Sequence, residues 1–393
     1  MLKLKDIGGK VKKITILALH LGYGGVEKSI ASLSNILVEK YEVEIISVYR
    51  LYDKPAFEID SRVKIKYLLD ANLSPNKKEF KEAIKSKNII DILKEGIKSI
   101  KILKLKKLEM IKAIKNIDSA IVISTRVEHN ELLSKFGKDN VIKIAQEHTH
   151  HNGNQSFIQR LVDSCQNIDY FMPVSNELTA FYANKLKNKK TKCVYIPHSL
   201  DYIPEEISRL EHKSIISVGR LSKEKGYDDL VDVFSIVREK KPDWVLNIIG
   251  DGDQRDVLEA KITKRGMINS VILHGYRNKK YIENMLLKSS IYAMASVEES
   301  FGLVLIEAQS FGLPCIAFES AKGACEIIDD KVSGYLIKDR SKVDMANAIL
   351  ELIDNLELRR SMGEKGRDNA CKYSKENISV MWFDFLESLL NKQ

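Results

Sequence analysis

Two carboxylates eight positions apart, Glu299 and Glu307, stand in the stretch from Ile291 to Pro314, IYAMASVEESFGLVLIEAQSFGLP. It reads as a short buried strand, Ile291 to Ala295, followed by a polar turn with Glu298, Glu299 and Ser300. An apolar helix comes next, opened by Phe301 and Gly302 and stopped by Gly312-Leu313-Pro314. At ~1.5 Å of rise per residue the two carboxylates lie up to about 12 Å apart along the axis. That exceeds the ~5 to 9.5 Å between paired carboxyls acting on one glycosidic bond, but it suits gripping an extended ligand at two places. Between the carboxylates, the free N–H groups of the helix start attract anions. Hydroxyls at either end and phosphates in the middle describe a nucleotide sugar. An amphipathic helix with a solvated Glu and a capping Ser would use similar letters. Glu307 speaks against it, because it interrupts the apolar run of Leu303, Val304, Leu305, Ile306 and Ala308, where a carboxylate without donors is costly to bury.

A second constellation follows the apolar segment SIISVG, where Arg220, Lys225 and Gly226 form R-x-x-x-x-K-G at the mouth of a helix. A planar fork, a point charge and free amides converge there in the manner of a diphosphate trap. Two surface cations on a loop are the plainer alternative, but ligands of such sheets bind where this loop leaves its strand. The turns at Gly250-Asp251-Gly252-Asp253 and Gly275-Tyr276-Arg277 either frame a base or ribose, through Gly250 and Tyr276, or simply need glycine. In the first half, His20-Leu21-Gly22-Tyr23-Gly24-Gly25 resembles a dinucleotide fingerprint without its third glycine. Glu147-His148-Thr149-His150-His151 invites a zinc reading, yet no H-E-x-x-H or matched cysteine pair accompanies it. The reading adopted is no metal, with His148 hydrogen-bonding substrate from a cleft. His129 and His198 read as loop histidines.

These residues are positioned by alternating strands and helices. Strands are expected at Lys13 to Leu19, Val43 to Val48, Val63 to Leu68, Ala120 to Ser124, Val141 to Gln146, Tyr170 to Val174 and Lys192 to Ile196. The pattern restarts with Ser214 to Val218, Trp244 to Ile249, Val271 to His274, Ile291 to Ala295, Cys315 to Phe318 and Tyr335 to Ile337. Helices are expected at Val26 to Lys40, Gly226 to Lys240, Gln254 to Arg265 and from Lys342 onward. The broken periodicity of Pro197 to His212 marks the link between halves. The fold class is α/β: two doubly wound, Rossmann-like domains at 1–197 and 198–373 facing a central cleft. A last helix within 374–393 carries more apolar surface than an idle tail needs.

The 393 residues suffice for two such domains, and 44% hydrophobic with 30% charged residues is a globular balance. No apolar run reaches the ~18 to 20 residues of a membrane span. The start, MLKLKDIGGKVKK, has Lys and Asp where a signal peptide would be apolar. Five widely spaced cysteines suit reduced thiols and a cytoplasmic protein. The net charge of +9 concentrates between Lys77 and Lys115, where thirteen Lys face five acidic residues among many Ile and Leu. Such a basic amphipathic segment reads as a membrane-surface element or as a packed helix with a solvated lysine face. Nucleic acid fits poorly, since no Arg is present and no aromatic follows Phe80.

Taken together, LGYGGVEKS, IPHSLD, VGRLSKEKG, IIGDGD, EESFGLVLIEAQSFGLP and KGACEIIDDKVSGYLI resemble, in this order, the family 4 glycosyltransferases, retaining enzymes of GT-B fold. The likeness covers almost the whole chain, most specifically Ser214 to Ile337 and more loosely Pro55 to Asp118. PHSLD stands where the family usually shows a Pro-Asn-Gly turn. The resemblance implies that Arg220 and Lys225 hold the donor diphosphate, Glu307 the ribose hydroxyls and Glu299 the transferred sugar. It implies that amides of Phe301, Gly302 and Leu303 assist, that Gly24 and Gly25 let a loop approach the diphosphate or acceptor, and that His148 sits beside the donor sugar. The last helix would cross back to the first domain. The function expected is retaining transfer of a hexose or N-acetylhexosamine from a nucleotide-diphosphate sugar, UDP-linked, with no required cofactor or metal. The acceptor expected is lipid-linked or an envelope polysaccharide, met by a cytoplasmic protein peripheral on the plasma membrane. A soluble glucan or small metabolite as acceptor, and a non-catalytic nucleotide-sugar binder, are the alternatives.

Overall fold

A computed structural model describes residues 12–391; the first eleven residues of the lysine-rich start lie outside it. Contacts divide the chain into a first unit up to Ile196, joined by the segment from Ser379, and a second unit, Pro197–Ile378.

The first unit holds a parallel sheet built from the apolar runs of the sequence. Its strands are β1 (Lys13–Ala18), β2 (Glu42–Ser47), β3 (Lys64–Tyr67), β4 (Ile121–Ser124), β5 (Ile142–Glu147), β6 (Tyr170–Pro173) and β7 (Lys192–Cys193), in the order β3-β2-β1-β4-β5-β6-β7. β1 and β4 bury nearly every side chain, as strands covered on both faces must. The strand expected over Lys192 to Ile196 shortens to two residues, as befits an edge with a single neighbour. His129 lies within the helix Val127–Phe136 instead of a loop, and burial lowers its pKa to about 3, leaving a neutral ring. The basic segment is two helices, Lys77–Ser86 and Ile89–Asn116.

The helix Lys375–Leu390 supplies the closing segment of this unit. Trp382, Leu386 and Leu389 recur at helical spacing and are buried. Phe383 packs on Tyr41, Phe385 meets Tyr170 edge-on, and Lys40 donates to Glu387. Val380 and Met381 turn outward, so the apolar face is narrower than the letters suggest.

The second unit repeats the plan with β8 (Ser214–Val218), β9 (Val245–Ile249), β10 (Val271–Leu273), β11 (Ile291–Met294), β12 (Cys315–Phe318) and β13 (Gly334–Ile337). All pairs are parallel, in the order β10-β9-β8-β11-β12-β13. Leu230, Phe234, Leu246, Ile248, Ile316 and Ile349 contribute to one contiguous core. The supposed link is no loose tether: Leu200 and Leu210 are buried, and Arg359 holds the Leu210 carbonyl through Nε and Nη2. In each sheet the strand order reverses once, between β1 and β4 and between β8 and β11. Open α/β sheets bind ligands outside the strand ends at such points.

Candidate functional site

In the second unit the loops leaving β8 and β11 flank the reversal, and they carry the residues singled out in the sequence. After β8 the chain passes Arg220, makes a 3-10 turn over Lys223–Lys225 and enters the helix Tyr227–Lys240 through Gly226. Gly226 sits at φ 64°, and a Cβ there would come within 2.0 Å of the Ala295 carbonyl oxygen. Only glycine lets the two loops close up. They are also strapped together: Val297 N–H donates to the Glu224 carbonyl at 2.8 Å. Arg340 donates to the carbonyls of Ala295 and Ser296, both at 2.9 Å, and to Asp229 at 2.6 Å.

That closure brings Lys225 and Glu299 together, with Lys225 Nζ donating to Glu299 Oε2 at 2.5 Å across 74 positions of sequence. Both side chains are mostly but not wholly covered, 26% and 15% exposed, so a ligand can reach the pair. Arg220 is exposed on the same loop. Beside the pair, the helix Leu303–Ser310 begins at Gly302 with no side-chain cap; Leu305 N–H donates back to the Gly302 carbonyl at 2.8 Å, and the amides ahead of it form the kind of helix start that attracts an anion. The expected start at Phe301 is two residues early. The Phe301 ring is buried edge-on against His198 and Tyr373, so aromatic packing ends the helix there. Burial lowers the His198 pKa to about 4.

Glu307 lies on the second turn of this helix, partly exposed. The Tyr202 phenol near it is pushed above its ordinary range by burial, by its 2.5 Å bond to Glu283 and by the charges of Asp201 and Glu307. Gly250 leaves β9 at φ 146°, and a Cβ would press to 1.8 Å from the Gly219 carbonyl oxygen. Its N–H donates to the Gly275 carbonyl at 3.0 Å. The turns after β8, β9 and β10 therefore stack backbone on backbone, and Gly250 has that packing role whatever else it does. Tyr276, on the last of them, is 60% exposed. His274 beneath it shares Nε2 with Asn247 Oδ1 at 2.8 Å and Nδ1 with the Tyr281 hydroxyl at 2.9 Å. With burial lowering its pKa, the ring is neutral, Nε2 donating and Nδ1 accepting.

In the first unit Gly24 precedes the helix Gly25–Leu37, and His148 follows β5. Sequence reading missed the group between them. Glu27, in the first turn of the Gly25 helix, is buried and accepts from Arg126 Nη2 at 2.7 Å, with His20 Nδ1 at 3.5 Å. Glu27 follows β1 and Arg126 follows β4, so this unit too has an ion pair across its reversal. The partners are 99 positions apart, and no local pattern marks them. Tyr23 and Tyr52 meet edge to face beside the same loop, each about half exposed.

The Glu147 carboxyl is pushed up to about 7 by burial, against the pull of the Thr149 and His148 amides. His150 and His151 each accept a backbone N–H within their own turn, from Asn152 and Gly153, both at 2.9 Å. Among the described residues, Asp228, Asp229 and Asp232 are the acidic, His or Cys side chains near enough to share a metal ion; they are bonded instead to Lys261, Lys342, Arg340 and Arg265.

The second unit matches, over residues 201–369, the model of the family described as Glycosyl transferases group 1. It is a group 1 glycosyltransferase domain. An uncharacterized glycosyltransferase of Haemophilus influenzae is 27% identical over 380 residues, 95% of this chain and 99% of that protein. The N-acetylgalactosamine-N,N'-diacetylbacillosaminyl-diphospho-undecaprenol 4-alpha-N-acetylgalactosaminyltransferase of Campylobacter jejuni is 27% identical over 94% of this chain and 98% of its own. The match covers less of three other curated relatives, 40%, 52% and 36% of their length. Among solved structures, a mutant of S. aureus TarM in complex with Fondaparinux, alpha-GlcNAc-glycerol and UDP superposes with a TM-score of 0.74. It is 17% identical and covers 95% of this chain and 99% of its own. The fold is GT-B, and Lys225, Glu299, Gly302 and Glu307 lie inside the matched domain.

Proposed function

We propose that this glycosyltransferase moves a hexose or N-acetylhexosamine from a UDP-sugar to a hydroxyl of a lipid-linked or envelope-polysaccharide acceptor, with retention at the anomeric carbon. The observation that carries the reading is the meeting of Lys225 and Glu299 beside an uncapped helix start at the reversal of the second sheet. The donor class is supported by the UDP in the TarM complex, the acceptor class by the diphospho-undecaprenol in the Campylobacter relative's name.

In this reading the diphosphate displaces Glu299 from Lys225, and Arg220, Lys225 and the amides of Phe301, Gly302 and Leu303 hold it. They carry the charge that grows on the departing diphosphate oxygen. Glu299, released, accepts from hydroxyls of the sugar, and Glu307 accepts from those of the ribose. Gly250 and Tyr276 border the base, and Gly24, Gly25 and His148 act from the first unit. Tyr23 and Tyr52 offer ring faces on which an acceptor sugar stacks. The acceptor hydroxyl attacks on the face the diphosphate leaves, passing its proton to the leaving phosphate oxygen. No step requires a metal ion, and the protein works in the cytoplasm.

The test is transfer from a panel of UDP-hexoses and UDP-N-acetylhexosamines to a lipid-diphosphate saccharide, with the product anomer read by NMR. One donor giving a product of unchanged anomeric configuration is expected. Inversion, or no turnover with any donor, overturns the reading.

A further inference from the structure

The helix Ile89–Asn116 carries seven of the twenty-two large apolar side chains exposed among the described residues, in 28 residues of chain. Winding at ~100° per residue sets Ile89, Leu93, Ile97, Ile100 and Leu103 within an arc of about 120°. These five are between 56% and 72% exposed. Lys104 and Lys107 lie inside the same arc and Lys101 about 40° beyond its edge, and all three are exposed. The acidic residues Asp91, Glu95 and Glu109 fall on the opposite side, as does buried Ile102; toward the helix end the unit covers the arc and its edge, where Ile114 and Met110 are buried, so the exposed stripe runs from Ile89 to Leu103. No acidic residue thus lies within the arc, although five are available between Lys77 and Lys115.

We propose that this face docks on an anionic lipid bilayer, lying along its surface. The charge distribution decides the occupant. A second copy of the same face would set lysine against lysine with no acid to answer it, the opposite of the self-complementarity a two-fold contact needs. A layer of anionic headgroups over acyl chains answers both components, cations at headgroup depth and apolar side chains a few ångströms below. No helix among the described residues is long and apolar enough to cross a membrane, so the contact is along the helix. Nothing in this surface depends on the donor site.

The test uses the whole protein with vesicles of phosphatidylcholine alone or with about a third phosphatidylglycerol, at low and high salt. Native protein is expected to sediment with the anionic vesicles, more weakly in high salt, and at least tenfold less with the neutral ones. Ile97→Glu/Ile100→Glu should bind the anionic vesicles at least tenfold less. Lys101→Gln/Lys104→Gln should bind them less and with a shallower salt dependence. These side chains are exposed, so thermal melts should match the native protein, as should transfer to a soluble acceptor. Native protein that stays in solution, or an Ile97→Glu/Ile100→Glu variant that binds like native, overturns the proposal. So does a native dimer that the same variant converts to monomers without vesicle binding. Loss of transfer in every protein, with vesicle binding as expected, would count against the donor reading alone.

Discussion

Lys225 and Glu299 neutralise each other when no donor is bound, and the pair costs little to open. Partly exposed ion pairs contribute only ~0 to 1 kcal/mol, so the proposed exchange, in which an arriving diphosphate takes the lysine and frees the carboxylate, costs little. Lys225→Ala and Glu299→Gln should each lower kcat/KM by about 10² to 10³, with melting temperatures within about 2 °C of native, since neither loss leaves a deeply buried charge. Transfer rates near native in both would contradict the assigned roles. Glu147 offers a pH signature. Its folded pKa near 7 lies above the ordinary 4.5, so the native state keeps a proton that the unfolded chain loses. Its contribution to stability is complete below pH 4.5 and is lost as pH rises to about 7, at most about 3 kcal/mol. Glu147→Gln keeps an acceptor for the Thr149 N–H, and its melting temperature should gain on native protein through that window and level off above it; parallel profiles would refute the assignment. Glu299 and Lys225 were legible because each sits in a local pattern of turn and helix start. Arg340 and the Glu27–Arg126 pair were not, because their meaning lies in partners dozens of residues away.

The loops leaving the strands are held by backbone contacts, and glycine substitutions separate packing from approach to a ligand. Gly226→Ala would put a methyl against the Ala295 carbonyl oxygen in a left-handed backbone and should cost about 2 to 4 kcal/mol. Gly25 is the contrast: a Cβ there meets nothing within 4 Å, and alanine suits a helix better than glycine. Gly25→Ala should leave the melting temperature unchanged or raise it, yet lower transfer at least tenfold, because the methyl occupies space reserved for the diphosphate or acceptor. Undiminished transfer would remove Gly25 from the site. The buried strands were readable from apolar runs, Cys315–Phe318 to the residue. The start of the helix at Leu303 was not, because Phe301 continues the apolar letters while its ring serves a different contact.

Two sheets of one chain each reverse their strand order beside an ion pair, and in the proposed reading the clasp on UDP lies in the second unit. That unit has its own core, so the fragment 197–378 should bind UDP within about threefold of the whole chain while transferring nothing. A fragment that folds but loses UDP would show that the first unit supplies donor contacts. The alternation of strands and helices made both sheets legible, and the basic segment was legible as a charge run. Its outward isoleucines were not, since letters alone do not say which side of a helix meets the unit. Calorimetric titration of UDP and a UDP-sugar into native, Lys225→Ala and Glu299→Gln proteins tests the proposed clasp of Arg220, Lys225, Glu299 and Glu307 most directly. Lys225→Ala is predicted to weaken both ligands at least tenfold, whereas Glu299→Gln leaves UDP binding intact and removes the extra affinity of the sugar. Equal binding of both ligands by all three proteins would contradict it.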